Sequence, residues 1–204
     1  MKVTLLGRVG YEPGLELQRA ARERVLAGGE DECLLLEHDP VVTLGKRGGA
    51  VDREALERLA TPVIATERGG FATWHGPGQL VGYPIVDTRR ARIGVRELVT
   101  RLGDVMIGIA SDLGLEGVTY DVDRPGVYRE GRKLGSIGLH LTHGVSMHGF
   151  AINVTNSLDG FRAIVPCGYG DLAVTTIAAE LGRDVAWDAA VASAKQRVIA
   201  LVPD

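Results

Sequence analysis

Glycine makes up 28 of the 204 residues, about twice the ~7% average usage. Much of it falls inside segments that otherwise read as strands. Gly69, Gly70, Gly76, Gly78 and Gly82 lie within ERGGFATWHGPGQLVGYPIVD, Gly135 and Gly138 within GRKLGSIG, and Gly144 and Gly149 within HGVSMHGFAIN. Glycine weakens a strand unless a bulge, a corner or a close approach of backbone or ligand requires it. Singly, each of these positions is expected to be a bulge or a twisted corner. As a set on three strands, they point to a site where backbone lies against a substrate. The familiar phosphate cradles are excluded, because neither G-x-x-x-x-G-K-[ST] nor a strand-following G-x-G-x-x-G occurs.

The remaining pattern supplies the frame. Residues 2–9 read as a strand. A helix opens at Pro13, carries Leu17, Ala21 and Val25 four apart, and closes at Gly28-Gly29. Cys33 to Glu37, Val41 to Leu44 and Pro62 to Thr66 read as short strands, with a short helix over 52–60. The best apolar stripe runs through 94–113, with Val95, Leu98, Val99, Leu102, Val105, Met106, Ile109 and Leu113. Beyond it come consecutive antiparallel strands turned at Glu130-Gly131 and His143-Gly144, then helices over about 174–182 and 188–201. Grouped strands with unevenly placed helices predict an α+β fold, mostly antiparallel or mixed sheets with flanking helices, and not a doubly wound sheet. No repeat or linker divides residues 1–204, which are expected to form one domain.

Composition narrows the function. A net charge of −3 argues against a nucleic-acid binder that neutralises phosphates. No run of about 18 apolar residues exists to span a bilayer. Val3 to Leu6 is too short for a secretory core, so a cytoplasmic location is expected. Two cysteines form no disulfide framework, and no Cys-x-x-Cys or His/Cys cluster has metal-ligand spacing.

Cys33, in the apolar ECLLLE, reads as a small buried hydrophobe. Cys167, between Pro166 and Gly168 ahead of a helix, is placed where a thiol can be presented to a pocket with a lowered pKa. Such a nucleophile needs an activator, and the candidates are Lys133, His75, His143 and His148. Against that, position alone makes Lys133 an edge-strand lysine that discourages aggregation, and His75 or His148 a satisfied histidine inside the sheet. Arg89, Arg90, Arg92, Arg96 and Arg101 form a cationic cluster at the start of the long helix. It is either a solvated face or a landing patch for an acidic partner.

Several motifs then occur in one order: Arg68-Gly69-Gly70, Thr73-Trp74-His75-Gly76-Pro77-Gly78-Gln79-Leu80, Arg124-Pro125-Gly126-Val127, Lys133 with Ser136-Ile137-Gly138, His148-Gly149 with Asn153, and Pro166-Cys167-Gly168. From about Glu37 to Ile177 the chain closely resembles the lipoyl(octanoyl) transferases of lipoate synthesis. The resemblance implies the α+β catalytic fold of the biotin and lipoate protein ligases, with no ATP, cofactor or metal. It implies that Cys167 takes an octanoyl or lipoyl chain from acyl carrier protein as a thioester, with Lys133 lowering the thiol pKa and moving protons. The acceptor would be the ε-amino group of a lysine on lipoyl domains of 2-oxoacid dehydrogenase E2 subunits and of the glycine cleavage H protein. The stretch Arg68, Gly69, Gly70, Phe71, Ala72, Thr73, Trp74 and His75, with Ser136, Ile137, Gly138, Gly149, Phe150 and Ala151, would line the acyl pocket.

Three positions depart from that pattern. Phe71 stands where Gln is frequent, Trp74 where Tyr is usual, and Gly135 where Ala or Cys is usual. Phe71 and Trp74 are expected to add bulk near the pocket and Gly135 to remove it. The rival readings are an ATP-dependent lipoate or biotin ligase on the same fold, a Cys–His hydrolase, and a binding module without turnover.

Overall fold

The computed structural model describes residues 1–164 and 172–202. Its main sheet has seven strands: β1 (Lys2–Val9), β2 (Glu32–His38), β6 (Gln79–Ile85), β10 (Val145–Asn153), β9 (Arg132–Thr142), β8 (Gly126–Arg129) and β7 (Thr119–Asp121), in that spatial order. The β1–β2 pair is parallel and every other pair antiparallel. A second sheet sets β3 (Val41–Leu44) between β4 (Val63–Ala65), parallel, and β5 (Thr73–His75), antiparallel. The expected α+β class with mixed sheets is what the chain forms. The turn pairs Glu130-Gly131 (φ 48° and 78°) and His143-Gly144 (φ 54° and 88°) are both left-handed throughout. That backbone matches the strand twist of a tight hairpin.

Helices cover both faces of the main sheet. Helix α3 (Val95–Asp112) buries Leu98, Leu102, Met106 and Ile109, and α6 (Trp187–Ile199) Ala190, Ala194 and Val198, in one core with Leu80, Leu134, Phe150 and Ile152. On the other face α1 (Tyr11–Leu26) sets Ala21 and Val25 against Ile85, Val145 and Met147. All residues of β6 and β10 are buried, so those central strands show no alternation of buried and exposed positions, and their polar residues Gln79, Ser146, His148 and Asn153 are buried too. Helix α2 (Arg53–Arg58) starts on the Asp52 carboxylate, which accepts from the Ala55 N–H at 3.0 Å. Helix α5 (Ile177–Leu181) starts on Thr176 and stops at the left-handed Gly182.

Some expectations are corrected. Helix α1 begins at Tyr11, not Pro13; proline is tolerated in a first turn, whose N–H groups lack helical partners. Leu17 is exposed, because a spacing of four drifts around the helix and brings Gln18 to the buried face instead. The one-turn helix α4 (Asp159–Arg162) and the three-residue β7 escape any periodicity test. Several strand glycines face protein, not substrate: a Cβ at Gly82 would run into the Phe150 ring, one at Gly135 into the Met106 methyl, and one at Gly76 into the Trp74 indole. Cys33 is fully buried, its thiol pushed up to about 12 by desolvation, as befits an inert core residue.

Candidate functional site

A cavity of about 340 Å³ opens between the loop before β5 and the paired strands β9 and β10. Its loop wall is residues 68–73, held on both sides. The Gly69 N–H donates to Leu139 O at 2.9 Å, and the Arg47 N–H to Gly70 O at 3.0 Å. Arg68 is buried and donates to Thr43 O at 2.6 Å and to Thr43 Oγ1. Gly70 stands at φ +90°, a conformation other residues rarely adopt. The strand wall comes from paired positions: Ser136 opposite Ala151, Ile137 opposite Phe150, and Gly138 opposite Gly149. Val95, Val99 and residues 122–125 form the opposite rim.

Of the fourteen pocket residues expected from sequence, thirteen line this cavity. Trp74 does not. Its side chain points the other way from its neighbours on β5, stacks edge-on against Phe161 at 5.5 Å, and packs on Gly76 and Gly160. Gly135 gives the cavity no extra room either, since Met106 fills the space beside it. Phe71 alone among the three departures reaches the cavity, with the Arg47 guanidinium 5.5 Å over its ring.

Lys133 is not an edge lysine. Strand β9 lies between β10 and β8, and Lys133 is 3% exposed. Its Nζ donates to the Tyr128 hydroxyl at 3.1 Å, and that hydroxyl in turn donates to Arg124 O at 2.9 Å. The ammonium passes beside Gly126, where a Cβ would stand 3.2 Å from Nζ, and Gly126 pairs with the cavity residue Ser136. The ammonium thus sits just behind one end of the cavity wall. The Lys133 backbone is bracketed by its N–H to Ala173 O at 2.7 Å and by Thr175 N–H to its carbonyl at 2.9 Å. The expected nucleophile Cys167 lies outside the described residues.

Three histidines behave differently from one another. His143 is an exposed turn residue away from the cavity. His75 and His148 line the cavity, and burial above all drives both imidazoles down to about 3, with the Arg68 cation adding to the effect. Both are neutral at physiological pH. Hydrogen bonds fix the tautomer of His75. Gln79 Nε2 donates to Trp74 O and to Asn153 Oδ1, and Asn153 Nδ2 donates to Thr175 O. Gln79 Oε1 is therefore the acceptor for His75 Nδ1–H at 2.7 Å, which leaves a lone pair on His75 Nε2.

Sequence reasoning named His75 and His148 but missed the tyrosines beside them at the inner end of the cavity. Tyr11 and Tyr83 line it, with His38 behind them. His38 Nδ1 donates to Val9 O at 2.8 Å, so His38 Nε2 accepts from the Tyr83 hydroxyl at 2.7 Å. Burial raises the Tyr11 phenol to about 12 and the Tyr83 phenol well above its usual value. Among the described residues no group of three His, Cys, Asp or Glu side chains could hold a metal ion. No helix among them is long and apolar enough to cross a membrane.

The arginine cluster also resolves into parts. Arg90 pairs with Asp31 at 2.5 Å and Arg101 with Glu97 at 2.6 Å. Arg92 and Arg96 are exposed and bracket Val95 on the cavity rim.

The site is thus a small, mostly apolar cavity with a buried lysine just behind one end of its wall, on a mixed seven-stranded sheet. The fold itself is shared with a lipoate-protein ligase A solved with ATP (TM-score 0.78, 17% identity, 98% of this chain and 84% of that one). It is shared more distantly with biotin protein ligase from Aquifex aeolicus (TM-score 0.58, 13% identity, 98% and 69%). The family model for the lipoyl protein ligase A/B catalytic domain matches residues 11–199. Octanoyltransferase of Mycobacterium sp. (strain KMS) is 43% identical over 204 residues, covering 97% of this chain and 84% of that protein. Octanoyltransferase of Mycobacterium bovis (strain BCG / Pasteur 1173P2) is 44% identical over 189 residues, covering 91% and 80%. The chain belongs to the lipoyl protein ligase A/B catalytic family, in its octanoyltransferase branch. It is a transferase, and the activity of its branch is octanoyl transfer in lipoate biosynthesis.

Proposed function

We propose that residues 1–204 act as one catalytic domain that moves the octanoyl chain in two steps through Cys167. In the first, the Cys167 thiolate attacks the thioester carbonyl of octanoyl-acyl carrier protein; the carrier's thiolate leaves and takes up a proton. In the second, the ε-amino group of a lysine on a lipoyl domain attacks the acyl-cysteine. An amide forms, the Cys167 thiolate leaves, and the amine gives up a proton. The first exchange trades one thioester for another and the second converts a thioester to an amide, so neither needs ATP. The reaction is taken to be cytoplasmic, with lipoyl domains of 2-oxoacid dehydrogenases and the glycine cleavage H protein as acceptors.

The observation that carries this reading is the buried Lys133 ammonium just behind one end of the wall of an acyl-sized cavity. An ammonium there stabilises a nearby thiolate, and its neutral form accepts the proton that the attacking amine loses. Residues 173–175, six to eight positions after Cys167, bond to the Lys133 backbone, which favours a shared site for the two residues. Arg92 and Arg96 beside the rim suit an acidic carrier domain. Charge reversal at both is expected to raise KM for the carrier substrate, more at low salt.

Intact-protein mass spectrometry after mixing with octanoyl-acyl carrier protein, without ATP, tests the reading. Wild type should gain one hydroxylamine-labile octanoyl group, discharged by a lipoyl domain, and Cys167→Ser should gain none. Transfer that appears only with ATP would support the ligase reading, and loss of the adduct to water alone the hydrolase reading.

A further inference from the structure

The inner end of the cavity carries hydrogen-bonding chemistry that a plain hydrocarbon does not use. Tyr11, His75, Tyr83 and His148 converge there, each less than a tenth exposed. The Tyr11 and His75 rings stack with centroids 6.5 Å apart, and Tyr83 meets His148 edge-on at 6.4 Å. With both imidazoles neutral and both phenols protonated, these four side chains present dipoles and no charge.

They also hold unused hydrogen-bonding capacity. Tyr83 gives its proton to His38, which leaves its oxygen able to accept. Among the described residues the His75 Nε2 lone pair has one long contact, to the Thr43 hydroxyl at 3.5 Å. His148 Nε2 is enclosed and has no hydrogen-bond partner among the described residues. A buried polar atom left so is costly and calls for a partner, be it a water, an ion or a ligand group. His148 moreover stands at φ +58° in the middle of β10, and its backbone N–H donates to Gln18 Oε1 at 2.8 Å. Non-glycine residues held in that region cluster at ligand clamps.

The distance fits an acyl chain. Ser136 marks the Lys133 end of the cavity, and Leu139, opposite His148, lies three residues further along β9. At ~3.3 Å per residue the two ends are about 10 Å apart, the span of a medium-length chain.

We propose that this inner end is a recognition subsite for a hydrogen-bonding group at the far end of the acyl chain. The pocket then takes medium chains that end in a hydroxyl as well as plain ones, with His148 and Tyr11 as specificity-determining residues. A hydroxyl both donates and accepts, so it can pair with a ring nitrogen of either tautomer or with a phenol. In a pocket that ended in hydrocarbon, the same hydroxyl would be buried without a partner. The inference rests on the acyl-pocket reading given above.

Calorimetric titration of the whole chain with octanoate and with 8-hydroxyoctanoate tests it. On wild type the two acids should bind within about threefold of each other. In His148→Phe the hydroxylated acid should fall behind octanoate by about tenfold or more, the cost of an unpaired buried hydroxyl. Phenylalanine is strained at φ +58°, so Tyr11→Phe, which removes one oxygen, is titrated in parallel and should move the ratio in the same direction. A hydroxy acid about tenfold weaker on wild type, or a ratio unmoved in every variant that folds, would overturn the subsite. If octanoate itself does not bind wild type, the acyl-pocket reading falls, and the subsite with it.

Discussion

Gly135→Ala separates two accounts of why the strand glycines are there. If Gly135 makes room for the acyl chain, alanine should shrink the pocket and change chain-length preference at little cost in stability. The geometry says otherwise. A Cβ at Gly135 would collide with the Met106 methyl and stand 2.8 Å from Ala151 O, and Met106 is fully buried. Overpacking of this kind costs about 1–3 kcal/mol, or roughly 3–10 °C in Tm for a chain of this size. Met106→Ala alone should cost about 2–5 kcal/mol through the cavity it leaves. In the double variant the alanine methyl at 135 occupies part of that space, so the two losses should couple favourably by about 1 kcal/mol or more. Coupling cannot restore the full loss, because the Ala151 carbonyl is backbone and stays. Urea unfolding followed by circular dichroism, with m unchanged across the four proteins, reads these values. Octanoate and decanoate binding to Gly135→Ala should keep the wild-type ratio. A Gly135→Ala protein within about 0.5 kcal/mol of wild type, or a strictly additive double variant, would refute the packing account.

Lys133→Ala should lower octanoyl transfer by about 10²–10⁴ while leaving octanoate binding within a few fold, measured by single-turnover transfer and calorimetry. An unchanged pH–rate profile in Lys133→Arg would remove its proton-transfer role. Trp74→Ala should lose about 3–5 kcal/mol of stability in urea melts, with chain-length preference intact, since the indole packs on Phe161 and Gly160 away from the cavity. Glu180 accepts from Arg132 at 2.7 and 2.8 Å, from Arg129 at 3.0 Å and from the Thr175 hydroxyl at 2.7 Å, and the Arg132 hydrogen bond above all lowers its carboxyl to about 2. Its folded pKa is below the unfolded one, so its contribution is complete above about pH 5 and fades as pH falls towards 2. Glu180→Gln should therefore be less stable at pH 7 by about 1–2 kcal/mol, because solvent screens the half-exposed Arg132, and lose less between pH 5 and 2, as followed by urea melts at stepped pH.

The local parts of the site were legible because a motif places its own neighbours. Residues 68–73 form one tethered loop wall, and Ser136 to Gly138 face Gly149 to Ala151 across a hairpin that its two left-handed turn residues announce. Even the exception was readable in principle: alternation on a strand puts Trp74 on the opposite face from Thr73 and His75. What failed were judgements that depend on sheet order. Lys133 looks like an edge lysine until β8 is known to lie outside β9, and Gly135 looks like an opening until α3 brings Met106 across the sheet. The assembly of the inner end was out of reach for the same reason. Tyr11 comes from a helix, His38 from β2, His75 from the small sheet, Tyr83 from β6 and His148 from β10. No spacing in the chain relates them. They meet only because β2, β6 and β10 are adjacent strands and α1 lies across them. Chemistry carried by one loop or hairpin can be read from sequence, whereas chemistry assembled from five elements has to wait for the topology.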